Sequence, residues 1–196
     1  MSLHNYLINK GYNYFEGYSQ QNFEQVEDLV KLTKNKKINI MEIGFNAGHS
    51  AEVFLKNNND LTLTSFDLGF HSYVNIGKEY IDMMYPNRHK LILGDSRITI
   101  PNFIINNENI KFDVIFIDGG HDYDIVNSDL ENCFHLAHKD TIVILDDTIF
   151  NSNWVAEWTI GPTHAWTEHL EQNKVFELGR IQYNYGKGMC WGKYIM

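Results

Sequence analysis

Short apolar runs alternate with helical patterns along most of the chain, and this alternation restricts the fold more than any other feature. The runs cover residues 38–43, 61–66, 89–93, 113–117 and 141–145. Nearly continuous apolar strands that alternate with helices are typical of a parallel sheet with helices on both faces. We therefore predict an α/β fold with a mostly parallel sheet.

The last fifth of the chain departs from this alternation. A helical pattern at residues 163–172 is followed by two strand-like runs, at residues 175–178 and 189–195. Residues 183–188 between these runs contain glycines and are typical of a turn. We therefore predict that the sheet ends in a C-terminal antiparallel hairpin.

The chain shows no linker, internal repeat or low-complexity break after its first twenty-one residues. We expect residues 22–196 to form one domain. Residues 1–21 are rich in Tyr, Asn and Gly. This segment is expected to be an N-terminal arm on the surface or a cap over a pocket, since aromatic faces can cover a ligand.

Charge and cysteine content narrow the function classes. A net charge of −9 and a pI near 5.4 argue against a broad surface for nucleic acid or anionic membranes, so we expect a small-molecule substrate. Cys133 and Cys190 form no C-x-x-C pair, and the N-terminus lacks a signal-peptide pattern. No apolar run approaches the roughly 18 residues that span a bilayer. We expect a cytoplasmic protein without nucleic-acid or membrane partners, and a homo-oligomer is left open.

The run at residues 38–43 leads into a turn with glycines and then into a helical pattern that starts near Ser50. Gly44 and Gly48 can adopt positive φ or let a ligand approach the backbone, and the start of a helix attracts anions. The dinucleotide fingerprint G-x-G-x-x-G fails, because Asn46 and His49 stand at its second and third glycine positions. An ordinary strand-to-helix turn is the alternative to a ligand-binding turn.

Acidic residues stand at the ends of all five apolar runs. They are Glu42, Asp67, Asp95, Asp118 and the pair Asp146 and Asp147. In an open parallel sheet, ligands bind beyond the carboxyl ends of the strands. An acid at this place also caps a following helix, which explains any single one of them. Five acidic strand ends together favour a binding site.

The pattern Glu42-x-Gly44-x-x-x-Gly48 resembles the first motif of class I methyltransferases that depend on S-adenosylmethionine (SAM). The resemblance implies a Rossmann-like class I methyltransferase fold with a mostly parallel seven-stranded sheet. It also implies that the turn lies beneath the methionine part of SAM, with Asp67 at the ribose. The cofactor-binding residues implied are Glu42, Gly44, Phe45, Asn46, Gly48, Ser50, Asp67, Asp95, Ser96 and Asp118.

The segment from Asp118 to His121, together with Asp146 and Asp147, resembles metal-dependent O-methyltransferases of the catechol and antibiotic-sugar types. The resemblance implies that Asp118, Asp146 and Asp147 hold a divalent cation. Acids on neighbouring strands, roughly 5 Å apart, can share one ion, and oxygen ligands favour Mg²⁺ first and then Ca²⁺ or Mn²⁺. Because successive strand residues point to opposite faces, Asp146 and Asp147 can both bind the ion only where the strand has ended.

His121 stands three residues after Asp118, across two glycines. In the sugar-type enzymes that the segment resembles, this position holds a general base, and a neutral imidazole with a reference pKa of about 6.5 can take a hydroxyl proton. The alternative is a loop histidine that orients an acid such as Asp122 or Asp124. We predict His121 and Asp118 as the catalytic residues.

The predicted function is transfer of a methyl group from SAM to a hydroxyl of a small molecule, such as a sugar or a phenol, assisted by a divalent cation. One alternative is an NAD(P)-binding Rossmann oxidoreductase, which the failed glycine fingerprint and the terminal hairpin disfavour. The other is a SAM-binding module without catalysis, which His121 and the acids at the strand ends disfavour.

Overall fold

The computed structural model describes residues 1–17, 22–34, 38–151, 156–183 and 186–196. They fall into two compact units, Met1–Asp95 and Ser96–Met196. The first unit contains α1 (Leu3–Asn9), α2 (Phe23–Thr33), β1 (Asn39–Ile43), α3 (His49–Asn57), β2 (Thr62–Asp67), α4 (Tyr73–Met84) and β3 (His89–Leu93). The second contains α5 (Ser96–Asn106), β4 (Phe112–Ile117), α6 (Tyr123–Phe134), β5 (Ala137–Asp146), α7 (Glu157–Glu171), β6 (Val175–Gln182) and β7 (Gly188–Tyr194).

The three strands of the first unit are parallel and lie in the order β3-β2-β1. Ile43 at the end of β1 pairs with Phe66 on β2, so the two strands finish at nearly the same level. α3 packs on β2 and α4 packs on β3, while α1 packs on α3 and α4. Ile40, Met41 and Phe66 are fully buried, as expected for strands that helices cover.

The strands of the second unit lie in the order β4-β5-β7-β6. β4 and β5 are parallel, whereas β7 is antiparallel to both β5 and β6. α6 packs on β4, and α7 packs on β5 and β6. Asp146 at the end of β5 pairs with Met189, next to the start of β7. This register brings the beginning of β7 beside the acidic end of β5.

Seven strands, mostly parallel and with a C-terminal antiparallel hairpin, confirm the predicted α/β fold class. One helix is longer than its sequence pattern predicts. α7 begins at Glu157 rather than at residue 163, and Pro162 lies inside it. Proline removes one backbone donor but has a helical φ, so it interrupts one hydrogen bond without ending this helix.

One strand also begins earlier than predicted. β5 begins at Ala137 rather than at residue 141, shortly after α6 ends at Phe134. A register shift puts Ala137 opposite Phe112 but Ile142 opposite Val114. The first residues of β5 are therefore irregular, and they lack the apolar pattern by which the later part of the strand is recognised.

Some predictions are not tested by these elements. The division into an arm of residues 1–21 and one domain of residues 22–196 stays a prediction, and residues 18–21 lie outside the described part of the chain. Residues 184–185 of the predicted turn also lie outside it. Across the described ranges, no helix is long and apolar enough to cross a membrane. The location, partners and oligomeric state stay predictions.

Candidate active site

The glycine turn, residues 44–48, joins β1 to α3 in the first unit. Gly44 and Gly48 have φ angles of 97° and 89°, and Asn46 between them has 51°. A Cβ on Gly48 would lie 2.8 Å from the ring of Phe45, which is buried and stacks on His89 with 5.0 Å between ring centroids. Both glycines are therefore required by the backbone, and the ring of Phe45 supports the turn from the interior.

Glu42 lies directly under this turn and is fully buried. Its Oε1 accepts a hydrogen bond from the Ser50 hydroxyl, and its Oε2 accepts one from the Ser65 hydroxyl at 2.5 Å. Burial raises the pKa of Glu42 to about 7, although the two serine hydrogen bonds lower it. The side chains of Glu42 and Ser50, both predicted to bind the cofactor, are thus engaged with each other inside the unit.

Asp67 ends β2 and holds the turn in place. Its Oδ2 accepts a hydrogen bond from the Asn46 backbone N–H and its Oδ1 accepts one from the Gly69 N–H, both at 2.7 Å. A carboxylate oxygen can accept two hydrogen bonds. Asp67 therefore retains the capacity to bind ligand hydroxyls, and its role at the ribose stays a prediction.

Asn46 is tied to the N-terminal segment through its side chain. Its Nδ2 donates to the backbone carbonyls of Glu16 and Gly17, the latter at 3.0 Å. Its Oδ1 is buried and has no hydrogen-bond partner among the residues described. A buried acceptor without a donor is costly, so this oxygen is a candidate for a hydrogen bond from a ligand.

Asp95 and Ser96, two further residues predicted to bind the cofactor, lie just after β3 and at the start of α5. Gly94, with φ 132°, donates its N–H to the Asp67 carbonyl at 2.8 Å, and Asp95 follows it in a half-buried position. Ser96 is the first residue of α5 and is also half-buried. Both side chains are accessible enough to meet a ligand.

The second unit brings Asp118, His121 and Asp147 together. One ligand atom from each of these residues lies within 4.8 Å of the others, and we call this group the acid–histidine cluster. The His121 Nε2 lies 3.0 Å from Asp147 Oδ2. The other oxygen of Asp147, Oδ1, is buried and makes no hydrogen bond to any described residue. Two of the three predicted metal ligands are thus close together, with His121 beside them.

Asp146 is placed differently from its neighbour. It is the last residue of β5 and only 3% exposed, and it is outside the acid–histidine cluster. Asp147 has a φ of 54°, so the strand ends between the two acids. The sequence predicted that both could bind an ion only at such a break. In this structure Asp147 is the one that faces Asp118 and His121.

Two residues that shape this region were not found from the sequence. A Cβ on Gly161 of α7 would lie 2.1 Å from the His121 carbonyl oxygen, so α7 is in direct contact with the loop that carries His121. Burial lowers the pKa of Lys187, but Asp146, Asp147 and Asp118 outweigh this effect and raise it above its usual value. The available signals were a glycine next to Pro162, just before the predicted helix, and a lysine between two turn glycines.

A cavity of about 290 Å³ lies in the second unit. It is lined by Ile149, Thr159, Ile160, Thr163, His164 and Thr167. Ile149 is two residues beyond Asp147 and donates its N–H to the Thr163 hydroxyl at 2.8 Å. Methyl groups, hydroxyls and an imidazole line the cavity, which suits a small molecule with both apolar and polar parts.

Solved structures of methyltransferases are similar to nearly the whole chain. The O-methyltransferase from Bacillus cereus in complex with SAH has a TM-score of 0.75 and 17% identity, over 97% of this chain and 90% of that one. TomG, an O-methyltransferase from Streptomyces achromogenes in complex with SAM, has a TM-score of 0.75 and 14% identity, over 99% and 88%. CalS11, a TDP-rhamnose 3′-O-methyltransferase, has a TM-score of 0.67 and 18% identity, over 96% and 85%. At these identities the likeness is one of fold.

Sequence comparison gives the family. No curated protein matches the chain. The family described as a methyltransferase domain matches residues 41–148, a range that contains the glycine turn, Asp67 and the acid–histidine cluster. Because this match covers more than half of the chain, the protein belongs to the methyltransferase domain family, as the resemblance in its motifs predicted.

Proposed function

We propose that this protein is a SAM-dependent O-methyltransferase that acts on a hydroxyl of a small molecule with the help of a divalent cation. The observation that carries the proposal is the acid–histidine cluster of a methyltransferase-family chain, in which Asp147 Oδ1 is buried without a hydrogen-bond partner in the described structure. The fold supports it, since similar structures include O-methyltransferases in complex with SAH and SAM.

The first unit fits the methyl donor. SAM, when bound, supplies a methyl group on a positively charged sulfur. The positive φ of Gly44 and Gly48 leaves the turn backbone open to close approach. Asp67 would accept hydrogen bonds from ribose hydroxyls, and Asn46 Oδ1 would accept one from a donor group of the ligand. Asp95 and Ser96 are proposed to contact the adenine.

The second unit fits a divalent cation. The cation, when bound, supplies positive charge that makes a neighbouring hydroxyl easier to deprotonate. Asp147 Oδ1 and the Asp118 carboxylate are the oxygens that would hold it, and oxygen ligands favour Mg²⁺, with Ca²⁺ or Mn²⁺ next. Asp146 adds negative charge next to Asp147, and we propose that it supports the site from there.

His121 is proposed to accept the proton of the acceptor hydroxyl. Its Nε2 lies 3.0 Å from Asp147 Oδ2 and its side chain is 42% exposed. When the neutral imidazole donates from Nε2 to Asp147, the lone pair is on Nδ1, which can then take up a proton. Asp147 thus orients the base. Holding the acceptor and the donor together supplies much of the rate in such a transfer.

The acceptor is proposed to occupy the cavity that begins at Ile149. Its volume of about 290 Å³ suits a small molecule. The threonine hydroxyls and His164 at its wall can hydrogen-bond hydroxyl groups, and Ile149 and Ile160 can contact an apolar ring face. Sugars and phenols both satisfy this chemistry. CalS11, one of the similar structures, is described as acting on TDP-rhamnose.

Binding and turnover measurements together test the proposal. We expect SAM, but not NAD, to bind the wild-type protein in calorimetric titrations. We also expect mass spectrometry to detect a methylated product in a screen of hydroxylated metabolites, and chelation with EDTA to suppress that product. Asp147→Asn should do the same, whereas Asp113→Asn, a β4 acid that pairs with His138 at 3.1 Å, should not. Binding of NAD alone would disprove SAM as the methyl donor. Activity that survives EDTA would disprove the role of the divalent cation.

A further inference from the structure

The start of β7 is fixed tightly against the end of β5. The Thr148 N–H donates to the Gly188 carbonyl at 3.0 Å, and a Cβ on Gly188 would lie 2.1 Å from the Thr148 carbonyl oxygen. On the other side, the Tyr183 N–H donates to the Lys187 carbonyl at 2.7 Å. The backbone of Lys187 is therefore held from both sides, next to the residues that follow Asp147.

This position places the Lys187 side chain, half-buried, in the field of three carboxylates. Asp146, Asp147 and Asp118 all interact with it electrostatically. Together the three acids carry three negative charges when ionised, and the divalent cation proposed above balances only two of them. Lys187 supplies the third positive charge. Charges in such partly buried surroundings are poorly screened by solvent, so this balance affects both folding and ligand binding.

The lysine nevertheless leaves one acceptor unused. Asp147 Oδ1 has no hydrogen-bond partner in the described part of the chain, although the Asp147 side chain is only 9% exposed. Lys187 therefore acts on this oxygen through its charge and does not occupy it. Lys187 partly offsets the negative charge of Asp147 but leaves its Oδ1 open to a ligand. This arrangement suits a cation that binds and dissociates.

We propose that Lys187 is the built-in counter-cation of the carboxylates at the ends of β4 and β5. In the protein without metal it offsets the repulsion among these acids, and it weakens their affinity for a divalent cation by the charge that it adds. It is a positioning residue, since it acts through Asp146, Asp147 and Asp118. The part of this proposal that concerns the cation rests on the proposed function, whereas the part that concerns the metal-free protein does not.

Lys187→Met tests both parts, because methionine keeps the apolar stem and removes the charge. In titrations with Mn²⁺ we expect the variant to bind on the order of tenfold more tightly than wild type, since one repelling charge is gone. In EDTA we expect its melting temperature to be lower than that of wild type. Lys193→Met is the matched control, because Lys193 lies further along the chain in β7 and pairs with Asp140 at 3.5 Å. It should change neither quantity.

The double variant Asp147→Asn, Lys187→Met restores the wild-type net charge of this region. In EDTA its melting temperature should therefore recover toward wild type, so the two substitutions should be non-additive. Lys187→Arg keeps the charge and should behave as wild type if Lys187→Met does not fold. Additive effects in EDTA, or a Lys187→Met variant that matches wild type in both measurements, would overturn the proposal.

The two proposals can fail separately. If neither wild type nor Lys187→Met binds Mn²⁺, the cation in the proposed function is wrong, and so is the effect of Lys187 on it. The role of Lys187 in the metal-free protein is then tested by whether the changes in melting temperature of the Asp147→Asn and Lys187→Met variants are non-additive in EDTA. If wild type binds Mn²⁺ and Lys187→Met binds it no more tightly, the cation stands and the role of Lys187 in setting its affinity is wrong.

Discussion

The glycine turn of the first unit and the acid–histidine cluster of the second satisfy their charged groups in different ways. Around the turn, both oxygens of Glu42 and both oxygens of Asp67 accept hydrogen bonds from the protein. In the cluster, Asp147 Oδ1 has none from the residues described, and Lys187 compensates the acids through its charge. The folded chain thus satisfies both carboxylates of the first region, whereas one carboxylate oxygen of the second has no hydrogen-bond partner among the residues described.

This difference indicates what each region can bind. The acceptor left over near the turn is a neutral amide oxygen, that of Asn46, which needs only a hydrogen-bond donor. The acceptor left over in the cluster belongs to a carboxylate with two further acids nearby. A buried carboxylate oxygen without a hydrogen-bond partner costs more free energy than a buried amide oxygen without one. The first region therefore suits a polar organic ligand, and the second suits a cation.

The largest effect on the rate of methyl transfer is expected in the acid–histidine cluster. His121→Ala should slow methyl transfer by roughly 10²–10⁴-fold, the usual contribution of a positioned base. SAM affinity should stay close to that of wild type, because the glycine turn is unchanged. His138→Ala is the control, since His138 pairs with Asp113 outside the cluster. An unchanged rate in His121→Ala, measured in single turnovers, would remove the base from the mechanism.

A second effect concerns the buried acid beneath the turn. The pKa of Glu42 is about 7 in the folded protein against 4.5 in the reference state. Its contribution to stability is therefore fully present below pH 4.5 and is lost as the pH rises through about 7. The free energy of unfolding of Glu42→Gln, relative to that of wild type, should therefore rise by up to roughly 3 kcal/mol between pH 4.5 and pH 8. Denaturant titrations measure this difference.

Two histidines change the stability of wild type in the opposite direction. Burial lowers the pKa of His49 to about 4 and that of His89 to about 3. Their contribution is present above pH 6.5 and is lost as the pH falls toward these values. Glu42→Gln and wild type must therefore be compared with each other at each pH, because both contain the two histidines and the histidine contributions then cancel. A constant difference between Glu42→Gln and wild type across this range would contradict the raised pKa.

Two glycines, one beside each region, allow a test of whether the glycine turn and the acid–histidine cluster bind their ligands independently. A Cβ on Gly77 of α4 would lie 2.2 Å from the Ala47 carbonyl in the glycine turn, and one on Gly161 would lie 2.1 Å from the His121 carbonyl. Each alanine substitution should cost roughly 1–3 kcal/mol of stability. Gly77→Ala should weaken SAM binding and Gly161→Ala should weaken Mn²⁺ binding. If both variants lose both ligands equally, the two regions do not act separately.

The smallest effect is expected at Asp67. Asp67→Asn keeps one side-chain acceptor but loses the charge, so SAM binding should weaken by roughly 1–2 kcal/mol. Mn²⁺ binding should be unchanged, and calorimetric titration measures both. Asp60→Asn, an exposed acid just before β2, is the control. Equal SAM affinity in Asp67→Asn and wild type would show that this carboxylate does not contact the ligand.

The sequence predicted the fold and the segments of the candidate site better than the direction of individual side chains. Within each unit the parallel strands end at one edge, so the acids at those strand ends could be assigned to that edge from their positions alone. A motif, however, marks a segment and not where each side chain points. Phe45 and Ser50 are both among the predicted cofactor-binding residues, yet their side chains are buried against His89 and Glu42.

Residues that approach the site from elsewhere in the chain could not be predicted in this way. The register between β5 and β7 brings Lys187 into the electrostatic field of the acids, and register depends on packing across the sheet. Gly161 matters because α7 touches the His121 loop, a contact between distant parts of the sequence. Ser65 lies in mid-strand, where nothing in the local pattern distinguishes a partner of Glu42 from an ordinary buried serine.

The two backbone hydrogen bonds to Asp67 also bear on the thermodynamics of ligand association. Both carboxylate oxygens are fixed by N–H groups, from Asn46 and Gly69, so this side chain has little rotational freedom before any ligand arrives. The conformational entropy of the carboxylate is lost when the chain folds and not when the ligand binds. A ligand hydroxyl that bound to Asp67 would therefore meet an acceptor that already points in one direction, and its association would require no rearrangement at this residue.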